Sequence, residues 1–396
     1  RREDRPHGHH LYRQGVMDRG ISEAVRRFYP SYGQMYRPSP RVSQVLLRIR
    51  DCRTPGMGGR EVACPECGHV HTEWNSCRDR HCPVCQGARR ALWMEARREE
   101  LLPVHYLHVV FTLPDGLNPW VLGHQREGYA ALFRAAWDTL AAFARRQGIQ
   151  LGMTALLHTW GSSLAYHPHL HCIVPAGGRD LKTGRWKGLP WVRDGKGTHA
   201  FLFPVRALSA MFRARFMERF TSAVRLPEAD RQACFARKWV VYAKEPVCGA
   251  EHTLEYIARY AYRVAVSDRR IRQVDDGGVT FEWKDYRDGG AKKLMTLDGM
   301  EFLRRYAMHI LPRGFFRIRH YGFLAPQDRQ RLADLQGQLG AQPLDRSGGR
   351  RTWAQLAAAR GIATGLCPEC GLAATVVIRL IPRCRSSGKR AYPTCP

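Results

Sequence analysis

The sequence predicts an α+β protein: an N-terminal zinc ribbon-like module followed by an antiparallel sheet domain with flanking helices. Three observations carry this. Six of the thirteen cysteines lie between Cys52 and Cys85. Short β-branched and aromatic runs then interleave with longer Ala/Arg/Leu-rich stretches of helical spacing. The charge is strongly one-sided, with 63 Lys and Arg against 35 Asp and Glu, a net +28. At 396 residues, 44% hydrophobic and 25% charged, the chain can bury sizeable cores, which excludes a disordered or collagen-like protein. An excess of this size attracts polyanions, nucleic acid first among them.

The first residues, RREDRPHGHHLYRQG, contain no apolar stretch, so no secretory signal is expected there. No apolar run is long enough to span a bilayer, and no membrane partner is expected. The chain reads as cytosolic, where cysteines serve as metal ligands more often than as disulfides.

Cysteine distribution and composition divide the chain into a zinc-binding, DNA-recognition module at 1–102, a sheet domain at 103–325, and a helical C-terminal tail with a C-x-x-C at 326–396. In the first, Cys64-Pro-Glu-Cys67 and Cys82-Pro-Val-Cys85 are two knuckles separated by fourteen residues. Each such turn aims two thiolates at one ion, and together they would complete the tetrahedron Zn²⁺ prefers. Cys64, Cys67, Cys82 and Cys85 are therefore the expected zinc ligands. Cys52, Cys77 and His81 are alternates, or ligands of a second ion. The neighbouring Arg78, Arg80, Arg89 and Arg90 suit phosphate contact.

In the middle region, helices are expected at 86–102, 124–147, 206–224, 252–262, 298–309 and 326–335. Strands are expected at 105–113, 153–160, 169–175, 238–243 and 279–284. The stretches 177–200 and 285–293 read as exposed loops or hairpin tips, and 336–351 as a linker.

Two elements carry chemistry. In HPHLHCIVP, His169 and His171 are two apart on a strand and share a face. TALLHTWG, upstream, is also strand-like, and a hairpin turning at GSSLAY sets His158 directly opposite His169. His158, His169 and His171 then converge as a three-imidazole site for a divalent ion. His167 would replace one of them if a bulge shifted the register. In HTLEYIARYAYRVAVSD, Tyr256 and Tyr260 are four apart and lie on one side of a helix, while Tyr262 points elsewhere. Arg259 and Arg263 border the pair, and Arg269 and Arg270 follow as DNA-contact candidates. A tyrosine can attack a DNA phosphate to give a covalent ester, and a bound divalent ion polarises that phosphate.

These segments, with NSCRDRHCPVCQGARR, FEWKDYRDGG and RGFFRIRHYGFL, resemble the two-tyrosine HUH (His–hydrophobic–His) transposases of insertion sequences, of IS91 and ISCR type. The likeness runs from about residue 45 to 325. It implies rolling-circle DNA transposition: single-strand nicking and joining through 5′-phosphotyrosine intermediates, acting on single-stranded DNA at element ends and on target DNA, in the bacterial cytoplasm and nucleoid. Carried over, His169 and His171 are the HUH ligands of Mg²⁺ or Mn²⁺, and Tyr256 and Tyr260 the paired nucleophiles. The N-terminal cysteines correspond to the family's structural zinc domain. The third ligand matches no motif directly; related relaxases place a histidine on a neighbouring strand, which favours His158. The competing readings are a related HUH replication initiator or relaxase, and a non-enzymatic zinc-ribbon nucleic-acid binder. The latter leaves the histidines and tyrosines unexplained.

Overall fold

A computed structural model describes residues 20–194, 197–200, 204–247, 260–341, 351–362, 364–372 and 375–383. The chain is α+β with antiparallel sheets. Its centre is a five-stranded sheet of β3 (Tyr106–Thr112), β4 (Gly152–Trp160), β5 (Tyr166–Pro175), β6 (Val241–Val247) and β10 (Ile318–Gly322), in the order β6-β3-β5-β4-β10. The strand carrying HPHLH is therefore the middle one.

Strict alternation sorts its residues. Val109 and Phe111 of β3, Ala155 and Leu157 of β4, and Leu170 and Cys172 of β5 face the main core. That face is covered by α4 (Gln125–Arg146) and α5 (Val205–Ala223). Tyr129, Leu132, Phe133, Ala136 and Leu140 form the buried stripe of α4 at helical spacing. Leu208, Phe212, Phe216 and Phe220 do the same on α5, with Phe212 meeting Phe111 at a centroid distance of 4.8 Å. The opposite face carries Tyr106, Leu156 and Ile173 in a smaller cluster with Ala261, and onto it pack Tyr260, Tyr262, Trp93 and Ile318.

A second core joins α1 (Gly20–Tyr36) and α2 (Pro40–Arg50) to a meander of β7 (Ile271–Asp275), β8 (Gly278–Asp285) and β9 (Ala291–Leu297), and to α6 (Gly299–Met308). Neither N-terminal helix was expected from the sequence. The stretch expected as exposed loops or hairpin tips at 177–200 contains short antiparallel pairs, Gly177–Asp180 with Trp186–Gly188 and Trp191–Asp194 with Gly197–Ala200.

Described residues of the 326–396 region pack back onto the rest of the chain. Leu332 and Leu335, from the Arg329–Gln338 helix, bury against Leu102 and Phe323. The strand β11 (Val376–Ile381) pairs with β1 (Gly59–Ala63), which pairs in turn with β2 (Val70–Trp74). The composition of a strand such as β11 does not name its partner, which here lies some three hundred positions away. Among the described residues no helix is long and apolar enough to cross a membrane.

Candidate metal and tyrosine centre

The hairpin of β4 and β5 pairs His158 with His169, the register expected from the turn, and places His171 opposite Leu156. Histidines at 169 and 171 share one face with His158 across the pair, and the ligand nitrogens of all three lie within 4.8 Å of one another. Ring centroids are 5.5 Å apart for His158–His169, 4.6 Å for His158–His171 and 4.9 Å for His169–His171. His158 and His171 are buried and His169 is half-buried.

Each imidazole has one nitrogen engaged. His158 Nε2 bonds the Tyr260 carbonyl at 2.8 Å, His169 Nδ1 the His167 carbonyl at 2.7 Å, and His171 Nδ1 meets His108 Nε2 at 2.8 Å. The nitrogens left for an ion are Nδ1 of His158 and Nε2 of the other two, the arrangement in which outer partners fix ligand tautomers. Burial pushes all three well down from the ordinary imidazole range, His169 to about 4, and for His158 and His171 the other histidines add to the shift. All three are therefore neutral at pH 7, the state a metal ligand needs. The spacing, neutrality and convergence of these three nitrogens fit a divalent ion. His167 is not part of the cluster; its Nδ1 lies 3.9 Å from the Asp115 carboxylate.

Tyr260 lies on this site, its ring 4.2 Å from that of His171, 5.4 Å from His108 and 6.0 Å from His158. Tyr262 turns aside to an edge contact with Trp93 at 5.8 Å, and burial pushes its phenol up. Tyr256 and Arg259 lie outside the described residues. Arg263 and Arg269 are exposed. Arg270 departs from its expected role: its guanidinium donates to the carbonyls of Glu282, Ala265 and Ser162, which makes it an internal brace and leaves no fork for phosphate.

The cysteines require a correction. The two N-terminal knuckles do not converge on one site. Cys82 and Cys85 converge with Cys52 and Cys77, and Cys64 and Cys67 converge with Cys367 and Cys370, each set having its sulfurs within 4.8 Å. The physical reason is that β1 and β2 carry the Cys64 turn away from the Cys82 loop, which packs instead on the end of α2. His81 is no ligand either. Its Nδ1 lies 2.7 Å from the Asp79 carboxylate and its Nε2 accepts from the Leu311 N–H at 3.1 Å, so both nitrogens are spent. In the Cys52 set the Cys77 N–H points at Cys52 Sγ at 3.4 Å and the Asp79 N–H at Cys77 Sγ at 3.5 Å, donors that favour thiolates. His108 was missed entirely; its only signal was a place two residues into an alternating strand, HYLHVVF.

A basic α+β chain with two tetracysteine clusters and a neutral histidine triad is a metal-binding protein suited to a polyanionic partner. Comparison with known proteins makes this particular. Residues 152–331 match a family described as "Putative transposase", and residues 24–113 one described as "Transposase zinc-binding domain". The "Putative transposase y4qJ" of Sinorhizobium fredii is 42% identical over 342 residues, 80% of this chain and 84% of that protein. The transposase for insertion sequence element IS801 of Pseudomonas savastanoi pv. phaseolicola is 29% identical over 297 residues, 71% of this chain and 70% of that protein. The chain belongs to the IS91-type transposases of insertion sequences.

Proposed function

We propose that this transposase nicks and joins single-stranded DNA at the ends of its element, by rolling-circle transposition, with Tyr260 and Tyr256 as nucleophiles. The observation that carries the reading is the seating of Tyr260 against three converging neutral imidazoles. In the proposed reaction the Tyr260 phenol oxygen attacks a backbone phosphorus. The P–O3′ bond breaks, the 3′ oxygen leaves as a hydroxyl with the proton the phenol gives up, and the 5′ phosphate stays esterified to tyrosine. His158, His169 and His171 would hold Mg²⁺ or Mn²⁺, which when bound polarises the scissile phosphate. The chain's own residues supply the geometry. His108 fixes the His171 ring, and the His158 Nε2–H grips the Tyr260 carbonyl, so that ligand and nucleophile are held by one hydrogen-bonded unit. Tyr256, four residues before Tyr260 in the sequence, would serve the second cleavage without release of the first end. Exposed Arg263 and Arg269 would hold the strand's phosphates.

The test is an SDS-stable adduct on single-stranded DNA carrying an element end, labelled at either terminus. Wild type should shift only the fragment joined through its 5′ phosphate, with Tyr260→Phe impaired and the Tyr256→Phe/Tyr260→Phe double variant silent. His171→Ala should lose nicking while keeping DNA binding, since the basic surface supplies most of the affinity. An adduct surviving in the double variant would refute the assignment of nucleophiles, and wild-type nicking by His171→Ala that of the ion site.

A further inference from the structure

The segment Cys64-Pro-Glu-Cys67-Gly68 recurs letter for letter as Cys367-Pro-Glu-Cys370-Gly371. The two copies fold identically. In each, the first cysteine's N–H bonds the carbonyl five residues on, Cys64 to His69 and Cys367 to Leu372, both at 2.9 Å. In each, the glycine N–H returns to the first cysteine's carbonyl, at 2.8 Å for Gly68 and 2.9 Å for Gly371. Both glycines are left-handed, with φ of 71° and 75°, a conformation that other residues rarely adopt. Each turn buries its first cysteine and exposes its second. Each leads into a strand, β2 or β11, and those two strands flank β1 in one three-stranded sheet.

Between the turns the sulfurs pair crosswise, Cys64 with Cys370 and Cys67 with Cys367, both at 3.6 Å. Four sulfurs about 2.3 Å from a tetrahedral zinc are roughly 3.8 Å apart. Neither matched family region, 24–113 or 152–331, contains Cys367 or Cys370.

We propose that the two turns are the halves of one zinc ribbon, assembled from opposite ends of the chain, and that its ion clips the C-terminal segment onto the N-terminal module. The Cys52, Cys77, Cys82 and Cys85 set holds a separate ion within the N-terminal module alone. The clip stands whether or not the histidine cluster acts in cleavage.

Metal analysis of the full-length protein tests it. Cys64→Ser/Cys67→Ser and Cys367→Ser/Cys370→Ser should each lose about one zinc per chain. The fourfold variant combining them should lose that same ion and no more, while adding Cys52→Ser/Cys82→Ser should remove a further one. Zinc retained at the wild-type level in Cys367→Ser/Cys370→Ser, or two ions lost in the fourfold variant, overturns the proposal. A wild-type measurement covers variants that fail to fold. Cysteine alkylation with peptide mapping, before and after a chelator, should show Cys64, Cys67, Cys367 and Cys370 protected together and released together. Labelling of Cys367 and Cys370 at free-thiol rates while Cys64 and Cys67 stay protected overturns it. So do two disulfides between the turns in the protein purified without reductant, since these would tether the ends with no metal.

Discussion

Beside His158, which bonds the Tyr260 carbonyl, Arg317 ties the tyrosine segment to the sheet, and its removal should cost catalysis without costing DNA affinity. Its guanidinium donates to the Ala261 carbonyl at 2.6 Å and to the Arg263 carbonyl at 3.2 Å, bracketing the turn that follows Tyr260. Its own carbonyl accepts from the Leu157 N–H at 2.8 Å, next to His158. Burial pulls the guanidinium down to about 10, so it is still charged at neutral pH. Arg317→Met strips two carbonyls of a charged donor. A buried carbonyl left unpaired costs about 1–3 kcal/mol, and the low end applies here because Arg263 is exposed and water can replace one bond. A loss of about 1–2 kcal/mol leaves the seated tyrosine segment roughly 5–30-fold less populated. Single-turnover adduct formation should slow by that factor. Arg317→Lys, with one bond at most, should fall between. An unchanged adduct rate in Arg317→Met refutes the argument, and so does a rate loss matched by an equal loss of DNA affinity, which would make Arg317 a phosphate contact.

Tyr262→Phe should keep the covalent adduct, because its ring is committed to Trp93 and burial holds its proton on; loss of the adduct in a gel shift would reverse the roles of Tyr260 and Tyr262. Gly322 has a φ of 59°, and a Cβ there would lie 1.7 Å from the Leu151 carbonyl oxygen, so Gly322→Ala should lower stability by at least about 2 kcal/mol in urea titration; a wild-type midpoint would contradict this. Buried His309 is pulled down to about 4, chiefly by burial, against about 6.5 in the unfolded chain. The unfolded state therefore takes the proton first, and the stability that neutral His309 contributes is present above pH 6.5 and lost, up to about 3 kcal/mol, as pH falls towards 4. Acid also protonates the zinc thiolates, so the quantity measured is the gap in unfolding free energy between wild type and His309→Gln, which should narrow as pH falls from about 6.5 towards 4; a gap that stays constant would contradict this.

Where local periodicity decides structure, the sequence was readable. Alternation in TALLHTW and HLHCIVP and the short turn between them were enough to set His158 against His169, because a hairpin leaves few registers once one face must be apolar. The helices at 125–146 and 205–223 declared themselves through apolar residues three and four apart. What could not be read was which turns meet. Spacing along the chain says that a C-x-x-C offers two thiolates, but not which second turn shares the ion; that is set by tertiary packing of β1, β2 and β11. The repeated Cys-Pro-Glu-Cys-Gly was the one available clue. Arg270 misled for a related reason: a basic run after a functional helix has the same composition whether its side chains face DNA or cap carbonyls. The helix α1 was hidden by Pro30 within it.

The same packing explains why the Cys52 cluster is more than an appendage to the sheet domain. Cys52, Cys77 and Cys82 share a core with Phe281, Phe302 and Tyr306, from the meander and α6. His81, between two of the ligands, takes the Leu311 N–H on Nε2, and its carbonyl accepts from the Tyr306 hydroxyl at 2.6 Å. Arg80 donates to the carbonyls of Pro312 and Phe315. Leu311 and Phe315 belong to the main core beneath the central sheet, and Arg317 follows two residues later. The span 306–317 is thus held at one end by the loop that carries Cys82 and at the other by the strand beside His158 and the carbonyls after Tyr260. A metal-stabilised loop is a rigid anchor for such a span, because its ion fixes backbone that few apolar contacts could hold. On this reading the ion of the Cys52 set contributes to the geometry of the tyrosine centre, while the ribbon joining the chain ends sits outside that line of contacts.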